Sequence, residues 1–532
     1  MGKKFYYFFL FLILVGFLLT GYWFFGGYHV AMSTDSTLYI TYSLDMKCNF
    51  NFNCVRTAWP PLYPFFLFLF GCLTPVPINA ASLVSFVSLI LTGVVTVYLI
   101  NKSEANTSQK LILCLTILFL YPFWVVFIHA WSESIFSLFL AIHILFIYKY
   151  LASEREYLLI LAGAASSCAA LTRYAGYTVL LAFSLLAAAL VIGKLKKPPR
   201  YYIYTVIFWL PSGVWAIRNY FIDKTLHGPR VPSKYNVFGN IYHLITVFKE
   251  DLGIILAILI LGGLVISAMY IKKRTINILS YLFVFILVYL TFILGTSSLV
   301  TIDRLNTRFL ASIYPLLIIL LAFSIPHLDQ VLHFPNTRLR NGLIIILLAV
   351  SLVNHLQFFS LHMSKEKILN PFHYGTGFER TTNGGKIRNF FAQKLKPPAA
   401  NISVSVIVHY CPSVNYSMVF RDILPEFYRI VDLDRQFKKG RYTFTVKNVK
   451  NGRLKKITFV QPWWLKLRLS SEEKNRDYVN FILKDLSKEN VQYVIVNEVL
   501  YSEQPDWDVI ANDKYILVER NKKSEWHSGL SP

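Results

Sequence analysis

A carboxylate near an aromatic, proline-rich segment is the first feature of this sequence that could carry chemistry. Asp35 lies just after a first apolar run, within Ser33-Thr34-Asp35-Ser36-Thr37-Leu38-Tyr39. The chain then enters the next apolar stretch through Trp59-Pro60-Pro61-Leu62-Tyr63-Pro64. A carboxylate at a membrane surface can take a proton from a hydroxyl group while a water-insoluble partner approaches from the lipid. Asp35 is therefore a candidate general base.

A second acid, Glu133, follows in His129-Ala130-Trp131-Ser132-Glu133 at the start of a predicted helix. It is either a second active-site carboxylate or an acid that favours the helix dipole, which is worth roughly 0.3–1 kcal/mol.

Arginines recur at four boundaries on the same side of the predicted membrane, although positive charge is normally biased to the other side. They are Arg173, Arg218, Arg230 and the pair Arg304 and Arg308. This repeated exception predicts an anion site for a lipid-linked phosphate or diphosphate.

The elements that must position these side chains are membrane helices. Apolar residues make up 55% of the chain and charged residues only 15%, which a soluble domain would not tolerate. About eleven apolar runs are long enough, or nearly so, to cross ~30 Å of hydrocarbon as helices. They cover approximately residues 5–25, 78–100, 111–128, 134–151, 157–171, 176–193, 201–216, 252–271, 276–294, 309–325 and 342–359.

Basic residues in the short loops predict the orientation of these helices. They gather on alternate loops, as is typical of the cytoplasmic face, so the N-terminus is predicted to be cytoplasmic. The opposite face receives the loop with Asp35, the turn with Glu133, Arg173, the predicted loop 218–251 and the chain after residue 360. The candidate chemistry therefore gathers on the outer face.

Two domains are predicted. Residues 1–360 form the membrane domain, whose outer loop 26–77 carries juxtamembrane helices. Segment 60–73 is one of them, with the first part of a tilted second span as the alternative. Residues 361–532 have mixed polar and apolar sequence and predict an extracytoplasmic α/β domain. Its predicted elements are strands at 402–410, 491–497 and 515–518, a hairpin within 441–459 and a helix at 476–489.

Charge and cysteines add further expectations. The net charge is +24, and from Leu361 onward 28 Lys and Arg face 18 Asp and Glu, a net charge of +10. Such a surface attracts anionic lipid head groups or phosphate-bearing substrates, whereas no nucleic-acid reader motif is evident.

Cys48 and Cys54 share the outer loop, which permits a disulfide in an oxidising compartment. A divalent cation between Asp35 and Glu133 is also conceivable, although two acids on separate loops are a poor metal signal.

In order along the chain, these motifs resemble the GT-C superfamily of membrane glycosyltransferases, specifically prokaryotic relatives of the family 39 protein mannosyltransferases. The pieces are Asp35-Ser36-x-x-Tyr39, Trp59-Pro60-Pro61-Leu62-Tyr63-Pro64, Trp131-Ser132-Glu133, Leu171-Thr172-Arg173-Tyr174-Ala175-Gly176, Arg218-Asn219-Tyr220, Gly228-Pro229-Arg230, Arg308-Phe309 and Tyr314-Pro315. The pieces occur in family order across approximately the first 330 residues. The loop with Cys48 and Cys54 does not map to the family pattern, and the C-terminal part lacks β-trefoil repeats.

The resemblance implies an inverting transferase that moves a sugar from a polyprenyl-phosphate donor to a lipid, glycan or protein acceptor outside a prokaryotic plasma membrane. Asp35 would be the general base, and Glu133 would position the acceptor or the donor sugar. Arg173, Arg218 and Arg308 would bind the donor phosphate. Tyr39, Trp59 and Tyr63 would line the sugar site. The remaining substrate-binding candidates are His129, Tyr174, Asn219, Arg230 and Arg304.

Two functions of other classes stay open at this point. A transporter or flippase of lipid-linked sugars would share the many spans and the basic boundaries, but transporters place coupling groups near the midplane of broken, repeated helices. The apolar runs here contain almost no acids. A structural subunit that merely anchors the outer domain would need only one or two spans. Both observations favour catalysis.

Overall fold

A computed structural model describes most of residues 3–362 and seven strands in the C-terminal part. Residues 29, 31–33, 50–54, 56, 75–76, 193–199, 229, 231, 234, 274, 301–304 and 329–336 lie outside the described residues. So does the C-terminal part apart from its strands.

Fifteen α-helices are described, all of them before residue 363. They are α1 (Lys3–Tyr28), α2 (Thr34–Asn49), α3 (Leu62–Gly71), α4 (Pro77–Lys102), α5 (Thr107–Phe119), α6 (Tyr121–Ile128), α7 (Glu133–Ser153), α8 (Glu156–Thr172), α9 (Tyr177–Ile192), α10 (Arg200–Asp223), α11 (Val237–Lys272), α12 (Ile278–Leu299), α13 (Thr307–Leu310), α14 (Tyr314–Ser324) and α15 (Thr337–His362). Single 3-10 turns lie at Tyr174–Gly176, Ala311–Ile313 and Ile325–His327.

The described helices make the chain a multi-pass membrane protein. Seven helical segments are long and apolar enough to cross a membrane, or eight if α5 and α6, bent by 42°, form one span. Three further apolar segments, Tyr6–Tyr22, Leu62–Gly71 and Glu156–Thr172, are shorter. Backbone groups in lipid must be satisfied internally, which is why such apolar runs fold as helices.

The helical course of the chain is interrupted between α5 and α6 and within α11. Between α5 and α6 the chain bends at Leu120, and the Trp124 indole donates a hydrogen bond of 2.8 Å to the Leu118 carbonyl. That bond satisfies a carbonyl at the end of α5, where no helical partner follows. In α11, Gly253 adopts φ 69° and ψ 157°, a conformation open mainly to glycine, and interrupts the helix.

The chain divides into two compact units. One comprises Met1–Val30, Val55–Phe66 and Ser82–Ile368, and it holds most of the helices. The other comprises Ala31–Cys54, Leu67–Ala81 and Leu369–Pro532. The predicted division at residue 360 stays a prediction.

Much of the predicted loop from Arg218 to Asp251 is helical. α10 continues to Asp223, and α11 begins at Val237, capped by the Asn236 side chain, which accepts from the Gly239 amide at 2.7 Å. Hydropathy detects only the part of a helix that lies in the hydrocarbon. The first turns of α11 contain polar residues, so its start could not be predicted from hydropathy.

Seven described strands form one sheet in the C-terminal part. They are β1 (Ile402–Ile407), β2 (Tyr428–Gln436), β3 (Arg441–Asn448), β4 (Leu454–Val460), β5 (Tyr493–Asn497), β6 (Trp507–Ala511) and β7 (Tyr515–Arg520). Their order is β2-β3-β4-β1-β5-β7-β6. β1 is parallel to β4 and β5, and the other neighbours are antiparallel. The predicted helix 476–489 lies outside the described residues, so the α/β class of this part stays a prediction.

Candidate active site

Glu133 is the centre of a buried ionic cluster in the larger unit. It is the first residue of α7, and its side chain is 2% exposed. Its Oε1 atom accepts from the guanidinium groups of Arg173 and Arg308, and the Ser132 hydroxyl donates to Oε2 at 3.2 Å. We call Glu133, Arg173 and Arg308 the ionic cluster.

Arg173 reaches Glu133 from the end of α8. It caps that helix in an extended conformation, and its amide donates to the Ala169 carbonyl at 3.1 Å. The 3-10 turn Tyr174–Gly176 then leads directly into α9. A Cβ atom on Gly176 would lie 2.2 Å from the Ala169 carbonyl oxygen, so only glycine allows this turn to pack against α8. The conformation of the Leu171–Gly176 segment thus brings Arg173 to the cluster.

Arg308 reaches Glu133 from α13, a helix of only four residues. The Asn306 side chain caps this helix by accepting from the Arg308 amide at 3.0 Å. The Arg308 guanidinium lies over the Trp131 ring, 4.2 Å from its centroid. Trp131 in turn stacks on His129, with centroids 4.0 Å apart and planes 10° apart. Such stacking fixes the plane of the guanidinium fork.

The ionic cluster carries one more positive than negative charge. His129 does not add to it, because burial, with a smaller contribution from the Arg308 cation, lowers the pKa of His129 to about 4. Its Nδ1 atom makes a hydrogen bond of 2.9 Å with the Val125 carbonyl, so the neutral ring is the tautomer protonated at Nδ1. A carboxylate held by two guanidiniums leaves a positively charged position that suits an anion.

A second network contacts Val55, Thr57 and Ala58, which come shortly before the Trp59-Pro60-Pro61 segment. The Asn219 amide donates to the Tyr174 hydroxyl and to the Leu226 carbonyl, both at 3.0 Å. The Tyr174 hydroxyl donates to the Thr57 carbonyl at 2.5 Å. The hydroxyl of Thr57 donates to the Asp223 carboxylate.

Two of the predicted phosphate-binding arginines also contact this segment. Arg218 donates to the Val55 carbonyl at 2.9 Å and lies over the Trp215 ring, 4.3 Å from its centroid. Arg230, which is exposed, donates to the Ala58 carbonyl at 3.1 Å. These contacts give the two arginines a role in holding the backbone at Val55 and at Ala58.

Gly228 completes this network by its backbone conformation. It adopts φ +78°, and a Cβ atom there would lie 2.7 Å from the Ala58 Cα atom. Only glycine combines this conformation with so close an approach. This close approach explains why a glycine is the first residue of the Gly228-Pro229-Arg230 motif.

The remaining predicted site residues are each described within their own element. Asp35, half-buried, is in the first turn of α2, and Tyr39 is buried one turn later. Trp59 is half-buried before α3, and Tyr63 is fully buried within it. Arg304, Cys54 and the side chain of Cys48 lie outside the described residues.

No group of three or more His, Cys, Asp and Glu side chains among the described residues is arranged to hold a metal ion. Oε1 of Glu133 already accepts from two guanidiniums.

Asp251 is a polar residue that the sequence reading did not select. It is 5% exposed in α11 and accepts hydrogen bonds from Thr307 and Tyr314. The signal that could have found it is its position: it is the acid directly before the apolar run that starts at Leu252. Tyr314 was part of the ordered motifs, although no role was predicted for it.

No protein-family model and no curated protein matches this sequence. Among solved structures, the chain is similar to ArnT from Cupriavidus metallidurans bound to undecaprenyl phosphate, with a TM-score of 0.59 at 14% identity. That match covers 96% of this chain and 97% of the ArnT chain. The apo state of the same ArnT gives a TM-score of 0.55 at 13% identity, over 95% and 97% of the two chains. The chain therefore has the fold of these ArnT structures.

Proposed function

We propose that this protein is an inverting glycosyltransferase that takes a sugar from a polyprenyl-phosphate donor. The single observation that carries the proposal is the ionic cluster, in which Arg173 and Arg308 share one buried carboxylate and leave a net positive charge. The phosphate of a lipid-linked donor is an anion that such a position suits, since its apolar tail can stay in the bilayer. The ArnT structure of the same fold holds undecaprenyl phosphate, which supports this choice of donor.

In this proposal, Asp35 removes the proton from the acceptor hydroxyl. The acceptor oxygen then forms a bond to the anomeric carbon of the donor sugar from the face opposite the phosphate, which inverts that carbon. The bond between the anomeric carbon and the phosphate oxygen breaks, and its electron pair leaves with the polyprenyl phosphate. Arg173 and Arg308 stabilise the charge of the departing phosphate.

Glu133 has a supporting role in the same step. It accepts from both guanidiniums at one oxygen and so fixes their positions before the donor binds. Electrostatic preorganisation of this kind avoids rearrangement during the reaction. Glu133 is therefore a positioning residue in our proposal, and contact with the acceptor or donor sugar is a further expectation from the resemblance.

The network at Val55, Thr57 and Ala58 would place the aromatic side chains that contact the sugar. Arg218, Asn219 and Arg230 donate to the carbonyls of Val55, Thr57 and Ala58, respectively. Trp59, Tyr63 and Tyr39 are the residues we propose to line the sugar site. Phosphate binding by Arg218 and Arg230 stays a prediction beside their contacts with the backbone.

We also propose the finer architecture that this function requires. Eleven spans result when the shorter apolar helices α1 and α8 and the 24-residue helix α10 are added to the eight: α1, α4, α5 with α6, α7, α8, α9, α10, α11, α12, α13 with α14, and α15. An odd number places the two ends of the chain on opposite sides, and the basic short loops then put the N-terminus in the cytoplasm and the C-terminal α/β domain outside the plasma membrane. The acceptor is a lipid, a glycan or a protein on that face.

One observation favours a second candidate function, transport of a lipid-linked sugar without transfer. α11 is interrupted at Gly253, and broken helices are typical of transporters. The ionic cluster favours the transferase instead, because its charges are fixed to one another rather than free to couple to an ion.

The test is transfer of radiolabelled sugar from a panel of polyprenyl-phosphate donors in membranes with wild type or Asp35→Asn protein. We expect the wild type to transfer sugar, and Asp35→Asn to lose transfer while it still binds the donor. Glu104→Gln, a change at an exposed acid, is the control and should keep full activity. A wild type that neither binds nor consumes any donor, while lipid-linked sugar crosses the bilayer of proteoliposomes, would establish the transporter instead.

A further inference from the structure

Asp251 lies at the interruption of α11, in a part of the helix where backbone groups lose their helical partners. It is 5% exposed and precedes Gly253 by two residues. Backbone groups freed at an interruption inside a membrane need partners from neighbouring parts of the protein.

The Asp251 carboxylate connects this interruption to two helix starts. The Thr307 hydroxyl donates to Oδ1 at 2.8 Å, and the Tyr314 hydroxyl donates to Oδ2. Thr307 is the first residue of α13 and Tyr314 the first residue of α14. Asp251 therefore holds both ends of the short segment that contains Arg308.

That segment needs such contacts because it cannot hold its own conformation. α13 is four residues long, far below the length at which an isolated helix is stable. Besides Asp251, its fixed contacts include the Asn306 cap and the Tyr289 hydroxyl, which donates to the Phe309 carbonyl at 2.6 Å. The position of the Arg308 backbone thus depends on groups from α11 and α12.

We propose that Asp251 is a positioning residue for Arg308, acting through Thr307 and Tyr314. This inference rests on the proposed function, in which Arg308 binds the donor phosphate. Both carboxylate oxygens of Asp251 accept from described hydroxyl groups, which suits positioning rather than proton transfer to a substrate. A displaced α13 would move the guanidinium away from the phosphate, and misplacement by about 1 Å is enough to lower a rate strongly.

The experiment is a double-mutant cycle of Asp251→Asn and Arg308→Ala, read as kcat/KM for sugar transfer. We expect Asp251→Asn alone to lower kcat/KM about tenfold, which corresponds to about 1.4 kcal/mol. In the Arg308→Ala background the same change should have almost no further effect, because it acts through Arg308. The matched control is Glu250→Gln, since Glu250 is the neighbouring acid on α11 and is exposed.

Changes at Thr307 test the same link without altering the buried acid. Thr307→Ser keeps the hydroxyl and should retain activity, whereas Thr307→Val has the same shape without it and should lose about as much as Asp251→Asn, roughly tenfold. A full additional loss from Asp251→Asn in the Arg308→Ala background would overturn the proposal. So would equal activity of the Ser and Val variants.

Thermal unfolding of the same proteins separates this inference from the proposed function. A wild type without transferase activity would remove the proposed function. The unfolding temperatures would then test whether Asp251 acts through Arg308. A double variant that is less destabilised than the sum of its single variants supports this link, and additive shifts of the unfolding temperature overturn it.

Discussion

Among single residues, Glu133 interacts directly with two charged groups, because its carboxylate pairs with both guanidiniums of the ionic cluster. Its carboxylate is buried between two guanidiniums, and removal of its charge leaves two cations facing each other. We predict that Glu133→Gln lowers the free energy of unfolding by about 3 kcal/mol, as for other broken buried ion pairs. Thermal unfolding in detergent measures this, with Glu104→Gln as the exposed control. A loss as small as that of the control would mean that the ion pairs do not hold the cluster together.

His129 gives a prediction about pH. Its pKa is about 4 in the folded protein, against an ordinary value of 6.5, because the ring is buried. The unfolded chain therefore binds the proton first as pH falls, and His129 lowers stability progressively between about pH 6.5 and pH 4. We expect His129→Gln to remove up to about 3 kcal/mol of this pH dependence. Unfolding curves at pH 7.5, 5.5 and 4.5 would show it, and parallel curves for both proteins would refute it.

The sequence identified all three residues of the ionic cluster but not their pairing. Glu133 and Arg308 stand out as charges at membrane boundaries, yet 175 residues separate them. Their contact depends on how α7, α8 and α13 pack, which no local pattern contains. Asp251 was missed because hydropathy starts the eighth predicted run at Leu252, whereas the helix itself starts at Val237.

At the scale of elements, the turn between α8 and α9 depends on Gly176. An added methyl group would meet the Ala169 carbonyl, and the turn that presents Arg173 would have to move. We predict that Gly176→Ala lowers the free energy of unfolding by about 1–3 kcal/mol, as overpacking does. It should also lower donor affinity, because Arg173 moves with the turn.

Gly213 in α10 is the matched control for this change, since a Cβ atom there has no neighbour within 4 Å. Gly213→Ala should leave stability unchanged or raise it, because alanine favours a helix over glycine. Thermal unfolding of both variants decides the matter. Equal effects at the two glycines would show that the turn is less tightly packed than its geometry indicates.

The strand positions were partly predictable from the sequence, but their order in the sheet was not. The predicted hairpin corresponds to antiparallel β3 and β4 on either side of Asn451-Gly452, a dipeptide typical of tight turns. The order of the sheet could not be predicted, because β1 pairs with β4 and β5, both distant along the chain. Such pairing depends on long-range contacts.

At the scale of the whole molecule, eleven spans predict opposite sides for the two ends of the chain. We expect reporter fusions at the N-terminus, in loop 103–106 and in loop 154–155 to lie in the cytoplasm. Fusions after residue 361 should lie outside. Protease protection and reporter activity measure this, and a C-terminal part on the same side as the N-terminus would contradict both the span number and the location of the proposed reaction.

The central claim is that the net positive ionic cluster binds the phosphate of a polyprenyl-phosphate donor. Its most direct measurement is equilibrium binding of undecaprenyl phosphate to four purified proteins: wild type, Arg173→Ala, Arg308→Ala and Arg155→Ala. Arg155 is exposed at the start of α8 and serves as the control. We predict that each cluster variant binds at least about tenfold more weakly, which is about 1.4 kcal/mol, and that the control binds as the wild type does. Equal affinity of all four folded proteins, or no binding by the wild type, would contradict the claim.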